Sequence, residues 1–425
     1  MKLLKNISGI LKAKTIAHSA ITLTGTALNG ILGVFFFVFL ARELGPENFG
    51  LVSISIIVLS LVADIADSGV NTGLINFIGR HAHEDPARAA KFFKLGLVFK
   101  TCVSLVVIII GVLLAPLIAE KVFLKSNLAP YLALSFIGVG GAMLFSLSSS
   151  TLQAYQRYLS WSAMNILSNA LRLLVVVILS SLALLSPFNA LKVYILLPLL
   201  GFGLSLWLLP KGVLKVKNEK SVAKEFFHYN KWVALSIVVA ALSSRIDTFF
   251  VARLLPVKES GFYSVGVQLS SLMPQFIFAI ASVIAPKIAS YTGNKALLGY
   301  LKKLQLFTLV LAIFGFLASP LAFYFIPLFY GQAYFPAIIP FLLLFYAQLI
   351  FLLAVPAHQT IFYYFSNPKI FVLISFIILL IMSLSNLLLV PVYGILGAAA
   401  SVLLGTILNF LIPAAYVLKR LKSDG

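Results

Sequence analysis

Long apolar runs separated by short polar turns dominate this chain. Runs long enough to span a bilayer, about 20 residues each, fall near 18–41, 49–79, 93–119, 128–152, 161–186, 190–210, 231–254, 261–286, 304–329, 336–362, 368–390 and 394–418. The pattern predicts an all-α integral membrane protein with about twelve transmembrane helices. Its least marked boundaries are Ser186-Pro187 and Pro391–Gly394. Segments such as LVVIIIGVLLAPLIA and FVLISFIILLIMSL do not alternate. They therefore lack the strand pattern of a membrane β-barrel and read as helices apolar all round. The second run, about 31 residues, would extend roughly 46 Å as one helix, longer than the hydrocarbon core. Its segment DSGVNTG (Asp67 to Gly73) predicts a bend, because glycine and asparagine weaken a helix.

Two stretches repeat at an offset of 211 residues. FVFLARELGPENFGLVSISIIVLSL (Phe37 to Leu61) and TFFVARLLPVKESGFYSVGVQLSSL (Thr248 to Leu272) align without a gap. Phe39, Ala41, Arg42, Leu44, Gly50, Ser53, Ser60 and Leu61 recur as Phe250, Ala252, Arg253, Leu255, Gly261, Ser264, Ser271 and Leu272. The offset is half of the 425-residue length. With six spans per half, both repeats enter the membrane from the same side, so they are expected to be parallel lobes around a central cavity. The expected lobes are 1–214 and 215–425, joined through the polar stretch Lys211 to Lys231. Within that stretch, Val222 to Trp232 is amphipathic enough to lie on the membrane surface.

Composition agrees with a lipid solvent. The chain is 61% hydrophobic and 10% charged, with mean hydropathy +1.06. A soluble domain carries about 25% charged residues. The placement of 32 Lys and Arg sets the orientation. With the N-terminus in the cytoplasm, 23 fall on the cytoplasmic side, six on the outer side, and three inside helices. That split predicts a multi-pass protein of the cell's inner membrane with both termini cytoplasmic. It also accounts for the +20 net charge as an insertion signal and a contact for anionic membrane lipids, not a nucleic-acid footprint. The opening MKLLKNISGILKAK is like the basic region of a signal peptide, but the apolar run behind it is too long. We expect a retained first helix preceded by a short interfacial segment.

Function is expected where charge enters the apolar spans. An ionisable group at the bilayer centre costs about 2.5–3.5 kcal/mol even on insertion scales. The candidates are Asp64 and Asp67 in the second span, Lys100 in the third, Arg172 in the fifth, and Arg245 with Asp247 in the seventh. Counted from the cytoplasmic end, Arg172 lies roughly 16 Å deep and Arg245 roughly 20 Å. Asp64 and Asp67 share a helix face; Arg245 and Asp247, two apart, point away from each other. Structural salt bridges, for example Arg172 with Asp64, are one reading. Against it, no charge is duplicated at the 211 offset: Asp64, Asp67, Lys100 and Arg172 map to Gln275, Phe278, Leu311 and Ser383, while Arg245 and Asp247 map back to Val34 and Phe36. The scaffold is thus built without a charge at the other copy. The expectation is a hydrated basic cavity in which Lys100, Arg172 and Arg245 meet an anionic ligand such as phosphate or pyrophosphate. Asp64, Asp67 and Asp247 would be charge partners or cation-coupling groups.

Other chemistry is sparse. Cys102 is the only cysteine, and the five histidines have no metal spacing, so neither a metal site nor a cofactor is expected. There is no GxxxxGK[ST] for ATP hydrolysis. His358 reads as a local hydrogen-bonding residue. Tyr155, Tyr158 and Trp161 suit either sugar stacking or an interfacial aromatic belt.

The runs FLARELGPENFGLVSI, DIADSGVNTGLINFIGR and RIDTFFVARLLPVKESGFYSVG resemble those of polysaccharide biosynthesis flippases. These are the Wzx-type O-antigen transporters of the multidrug/oligosaccharidyl-lipid/polysaccharide exporter superfamily. The resemblance implies a two-lobed fold and alternating access. The implied substrate is a polyprenyl-pyrophosphate-linked oligosaccharide moved to the outer leaflet for surface polysaccharide assembly, alongside other assembly proteins. By position, Arg172 and Arg245 best match the family's cationic cavity. A cation-coupled multidrug exporter of the same superfamily is the alternative, disfavoured because the first span has no acid. A multi-spanning polymerase is a third reading. It would need a sizeable outer loop, whereas the short outer loops here carry only Glu43, Glu47, Glu120 and Glu259 as acids.

Overall fold

The computed structural model describes residues 14–82, 84–209, 215–217, 219–367 and 369–423. The interfacial segment expected before residue 14, together with His83 and Lys211, lies outside the described residues. Among these the chain is helical and forms no strand. Ten helices are long and apolar enough to cross a membrane, or eleven if one bent pair is a single span. Large apolar side chains such as Leu113, Val283 and Phe314 are more than 70% exposed, as lipid-facing surfaces are.

Helix α1, Lys14–Asp67, has 54 residues, about 81 Å if straight and more than twice the hydrocarbon core. It breaks at Gly45, whose φ of 72° and ψ of 169° suit a residue without Cβ, just before Pro46. The first two expected spans are thus two helices joined at this kink, and the count of ten or eleven takes them as one. The bend expected at Asp67–Gly73 is present. Ser68 (φ 47°) and Gly69 (φ 77°) end α1, and α2 (Val70–His81) starts afresh. Then follow α3 (Pro86–Leu117), α4 (Ala129–Ala154), α5 (Tyr158–Ser181) and α6 (Pro187–Leu208). Next come α7 (Lys220–Ser243) and α8 (Ile246–Leu254), bent by 46° at Ser244-Arg245. The chain ends through α9 (Val257–Ser270), α10 (Met273–Ala289), α11 (Asn294–Ala318), α12 (Ala322–Tyr330), α13 (Ile338–Gln359), α14 (Lys369–Tyr393) and α15 (Ile395–Ser423).

Packing divides the chain into two units, residues 1–44 with 54–238, and residues 45–53 with 239–425. The first unit has a core of Val70, Leu74, Phe77, Phe92, Phe93 and Leu147, into which α7 inserts Val222 and Phe226. The segment expected to lie on lipid is thus docked on protein. Its apolar face meets α2 and α3, while Arg88–Glu225 (2.8 Å), Lys91–Glu219 (2.6 Å) and Lys94 Nζ to the Val216 carbonyl (2.7 Å) fasten its start. Those ion pairs are partly exposed, and solvent screens them. Burial of Phe226 contributes roughly 2–3 kcal/mol, so apolar packing decides the docking.

In the second unit the segment 45–53 crosses α9 backbone to backbone. A Cβ on Gly50 would collide with the Val257 carbonyl oxygen, and one on Gly261 with the Pro46 carbonyl oxygen. Pro46 and Val257, like Gly50 and Gly261, are repeat mates at the 211 offset. Each copy therefore presses the same position against the same place on the other, an approximate two-fold contact. The echo in the sequence preserves this contact.

A methyl group at this crossing meets backbone, which cannot rotate aside. Gly261→Ala is expected to destabilise the protein by about 1–3 kcal/mol, read as a lower melting temperature in detergent. Gly299→Ala, where no atom lies within 4 Å of the added Cβ, should be neutral or slightly stabilising. Phe226→Ala should cost about 3–5 kcal/mol and Glu225→Gln under about 1 kcal/mol, a ranking that thermal melts of the two variants check.

Candidate functional site

In the first unit Lys100 and Arg172 are held by different groups. Lys100, midway along α3, is wholly buried. Its ammonium lies 2.6 Å from Asp67 Oδ1 at the end of α1. It also donates to Asn71 Oδ1 (2.7 Å), Ser146 Oγ (2.9 Å) and the Met143 carbonyl (3.2 Å). Asp67 Oδ2 in turn accepts the Asn71 backbone N–H at 3.3 Å. The break at Ser68-Gly69 places Asp67 and Asn71 around one ammonium. Every Lys100 proton has an acceptor, and its charge is matched by a carboxylate. Asp64, one turn earlier, is half-buried and takes no part in this ion pair.

Arg172 is held differently. Its guanidinium carbon lies 4.3 Å from the ring centroid of Tyr194 on α6. One Nη donates to Asn169 Oδ1 at 3.0 Å, one turn back on α5. Asn169 Nδ2 donates to Asn29 Oδ1 of α1 at 2.7 Å. The Tyr194 ring lies 6.0 Å from the ring of Phe36 and 6.3 Å from that of Phe37. Close packing of α1 on α5 makes this alignment possible: a Cβ on Gly25 would overlap the Ser162 side chain. Among the described residues no carboxylate lies within 4 Å of the Arg172 guanidinium, and its buried Nε has no hydrogen-bond partner. Every group on the bed is neutral.

In the second unit Asp247 is buried and accepts a 2.5 Å hydrogen bond from the Tyr263 hydroxyl of α9, with Thr248 Oγ1 at 3.3 Å. Arg245 occupies the junction between α7 and α8 and is half-buried. The expected divergence of Arg245 and Asp247 is thus resolved for the acid by a tyrosine from the next helix. His358 on α13 bonds through Nε2 to the Asn409 carbonyl of α15 at 3.0 Å, between the rings of Phe351 and Phe371. Among the described residues no three His, Cys, Asp or Glu are grouped to hold a metal ion.

Sequence reasoning missed the neutral partners. Asn169 was legible as an amide one turn from Arg172, and Asn29 as an amide in the acid-free first span. Tyr194 and Tyr263 gave no signal, because aromatic residues are common throughout these spans.

The fold can now be set beside known proteins. MurJ, a lipid II flippase in an inward closed conformation, aligns with a TM-score of 0.72 at 15% identity, covering 95% of this chain and 87% of that one. An inward-facing multidrug resistance MATE family transporter of the MOP superfamily aligns at 0.74 and 11% identity, covering 93% and 95%. A MOP superfamily transporter from Pyrococcus furiosus, whose binding pocket is described as reversed in polarity, aligns at 0.63 and 14% identity, covering 95% and 94%. At these identities the likeness is one of fold. No curated protein matches the sequence. The sequence pattern of polysaccharide biosynthesis proteins matches residues 39–339, well over half of the 425, and the chain belongs to that family.

Proposed function

We propose that this protein is a flippase, not an enzyme, that moves a polyprenyl-pyrophosphate-linked oligosaccharide from the cytoplasmic to the outer leaflet by alternating access. In this reading it lies in the inner membrane with both termini cytoplasmic, and its lobes, 1–214 and 215–425, are parallel repeats of six spans. The observation that carries the reading is Arg172. A guanidinium midway along an apolar helix costs at least about 2.5–3.5 kcal/mol, and this chain supports it with an amide and an aromatic ring without neutralising it. Lys100, by contrast, is matched by Asp67. Carboxylates are evidently available where charge only needs burying, so the uncancelled cation suits an anion brought by the substrate. The family match and the fold shared with the MurJ flippase support the same class of cargo.

Arg245 joins Arg172 in this reading as a second ligand cation. Lys100 enters it as half of a structural pair with Asp67 at the bend that ends α1. Asp64 and Asp247 stay as groups through which cations or the membrane potential could act on the cycle. A drug-exporter reading draws no support from the first span, which lacks an acid.

Deletion of the gene should abolish surface polysaccharide and leave drug sensitivity unchanged. Arg172→Gln and Arg245→Gln should fail to restore the polysaccharide at wild-type protein level, with lipid-linked repeat units accumulating in the inner leaflet. Full restoration by the double variant would refute the reading, and drug sensitivity on deletion would favour the exporter. Lys100→Met alone should destabilise by about 3–5 kcal/mol, because it strands a buried carboxylate. Lys100→Met with Asp67→Asn should recover most of that loss in a thermal melt.

A further inference from the structure

We propose that Asn29, Asn169 and Tyr194 are positioning residues that hold the Arg172 guanidinium in place without cancelling its charge, so that the cation is presented ready-made to an anionic ligand. The inference rests on the reading of Arg172 as a ligand-binding residue and adds how that residue is prepared.

An arginine side chain has many rotamers, and binding through a free one would lose that freedom. Here both sides of the guanidinium are fixed. Tyr194 offers the negative face of its ring at 4.3 Å. The ring is itself packed near Phe36 and Phe37, so it cannot readily turn away. Asn169 supplies a directed acceptor at 3.0 Å. An asparagine amide could present either its oxygen or its NH₂ to Arg172, and only the oxygen attracts a cation. Asn29 settles the choice: Asn169 Nδ2 donates to its backbone carbonyl at 3.4 Å, a group that can only accept, and to its Oδ1 at 2.7 Å, which turns Asn169 Oδ1 toward Arg172. The polar relay thus runs from α1 through α5 to the cation, with the aromatic support coming from α6 and α1. A carboxylate at position 169 would hold the guanidinium at least as firmly, yet would remove the net charge that an anion seeks. Neutral groups at both contacts satisfy position and charge together.

A purely structural role, helix gluing by amides, makes a different forecast. Glue would be improved by Asn169→Asp, which forms an ion pair, and function would survive. The positioning account predicts that stability and recognition part company. The test uses full-length protein in detergent, with geranylgeranyl pyrophosphate as the anionic probe and geranylgeraniol as its neutral control. For the wild type, the pyrophosphate should raise the melting temperature and the alcohol should not. Asn169→Asp should melt no lower than wild type without ligand but lose the pyrophosphate-specific shift. Tyr194→Leu should weaken pyrophosphate binding about tenfold, and Tyr194→Phe, which keeps the ring face, should recover it. If Asn169→Asp does not fold, the contrast between Tyr194→Leu and Tyr194→Phe still decides. Arg172→Gln separates the two levels. If it keeps the shift, the ligand reading itself fails. If it loses the shift while Asn169→Asp and Tyr194→Leu both keep theirs, only the positioning role is overturned.

Discussion

A charge set among lipid-embedded helices has to be answered by the protein, because the hydrocarbon around it offers nothing. This constraint organises the first unit. At Lys100 the answer is a carboxylate and three further acceptors, and the result is neutral and closed. At Arg172 the answer is an amide oxygen and an aromatic face, and the positive charge survives. The same chain thus carries a cation that has been cancelled and one that has been kept. The kept one is where recognition of an anion is argued to begin.

The bends in the chain serve the same constraint. Ser68-Gly69 turns the path after Asp67, so that Asp67 and Asn71 can both reach one ammonium from α3. The close fit of Gly25 on Ser162 brings α1 near enough to α5 for Asn29 to orient Asn169. In the second unit glycine acts through the repeat. Gly50 and Gly261 allow carbonyl oxygens of Val257 and Pro46 to lie where side chains would otherwise stand. The repeated glycines there meet each other's backbone, whereas the six charges within the spans have no charged repeat mates.

Much of the fold was legible because membrane helices announce themselves locally. Apolar length, the bend at Asp67–Gly73 and the repeat all rest on contiguous residues. Where prediction and structure part, the deciding interaction is non-local or lies in the backbone. The first two spans meet in a kink at Gly45, the one residue of α1 that leaves the helical conformation. The segment from Val222 docks on α2 and α3 because Phe77 and Phe92 wait there, more than 130 residues earlier in the chain. At the site, the charged residues could be picked out from sequence, since each is rare in an apolar span. Of their neutral partners, the amides were visible as polar residues in these spans, but the tyrosines were not. Tyr194 is one of 16 tyrosines, and nothing in its neighbourhood marks it as the seat of a guanidinium.

The account turns on one atom group, the Arg172 guanidinium, meeting an anion from outside the chain. A structure of the protein bound to a polyprenyl-pyrophosphate-linked sugar tests this most directly. The account predicts a phosphate oxygen within hydrogen-bond distance of Arg172, with Tyr194 still beneath the guanidinium and Asn169 still at its edge. A pyrophosphate seated elsewhere, with Arg172 turned to a carboxylate of its own chain, would contradict it.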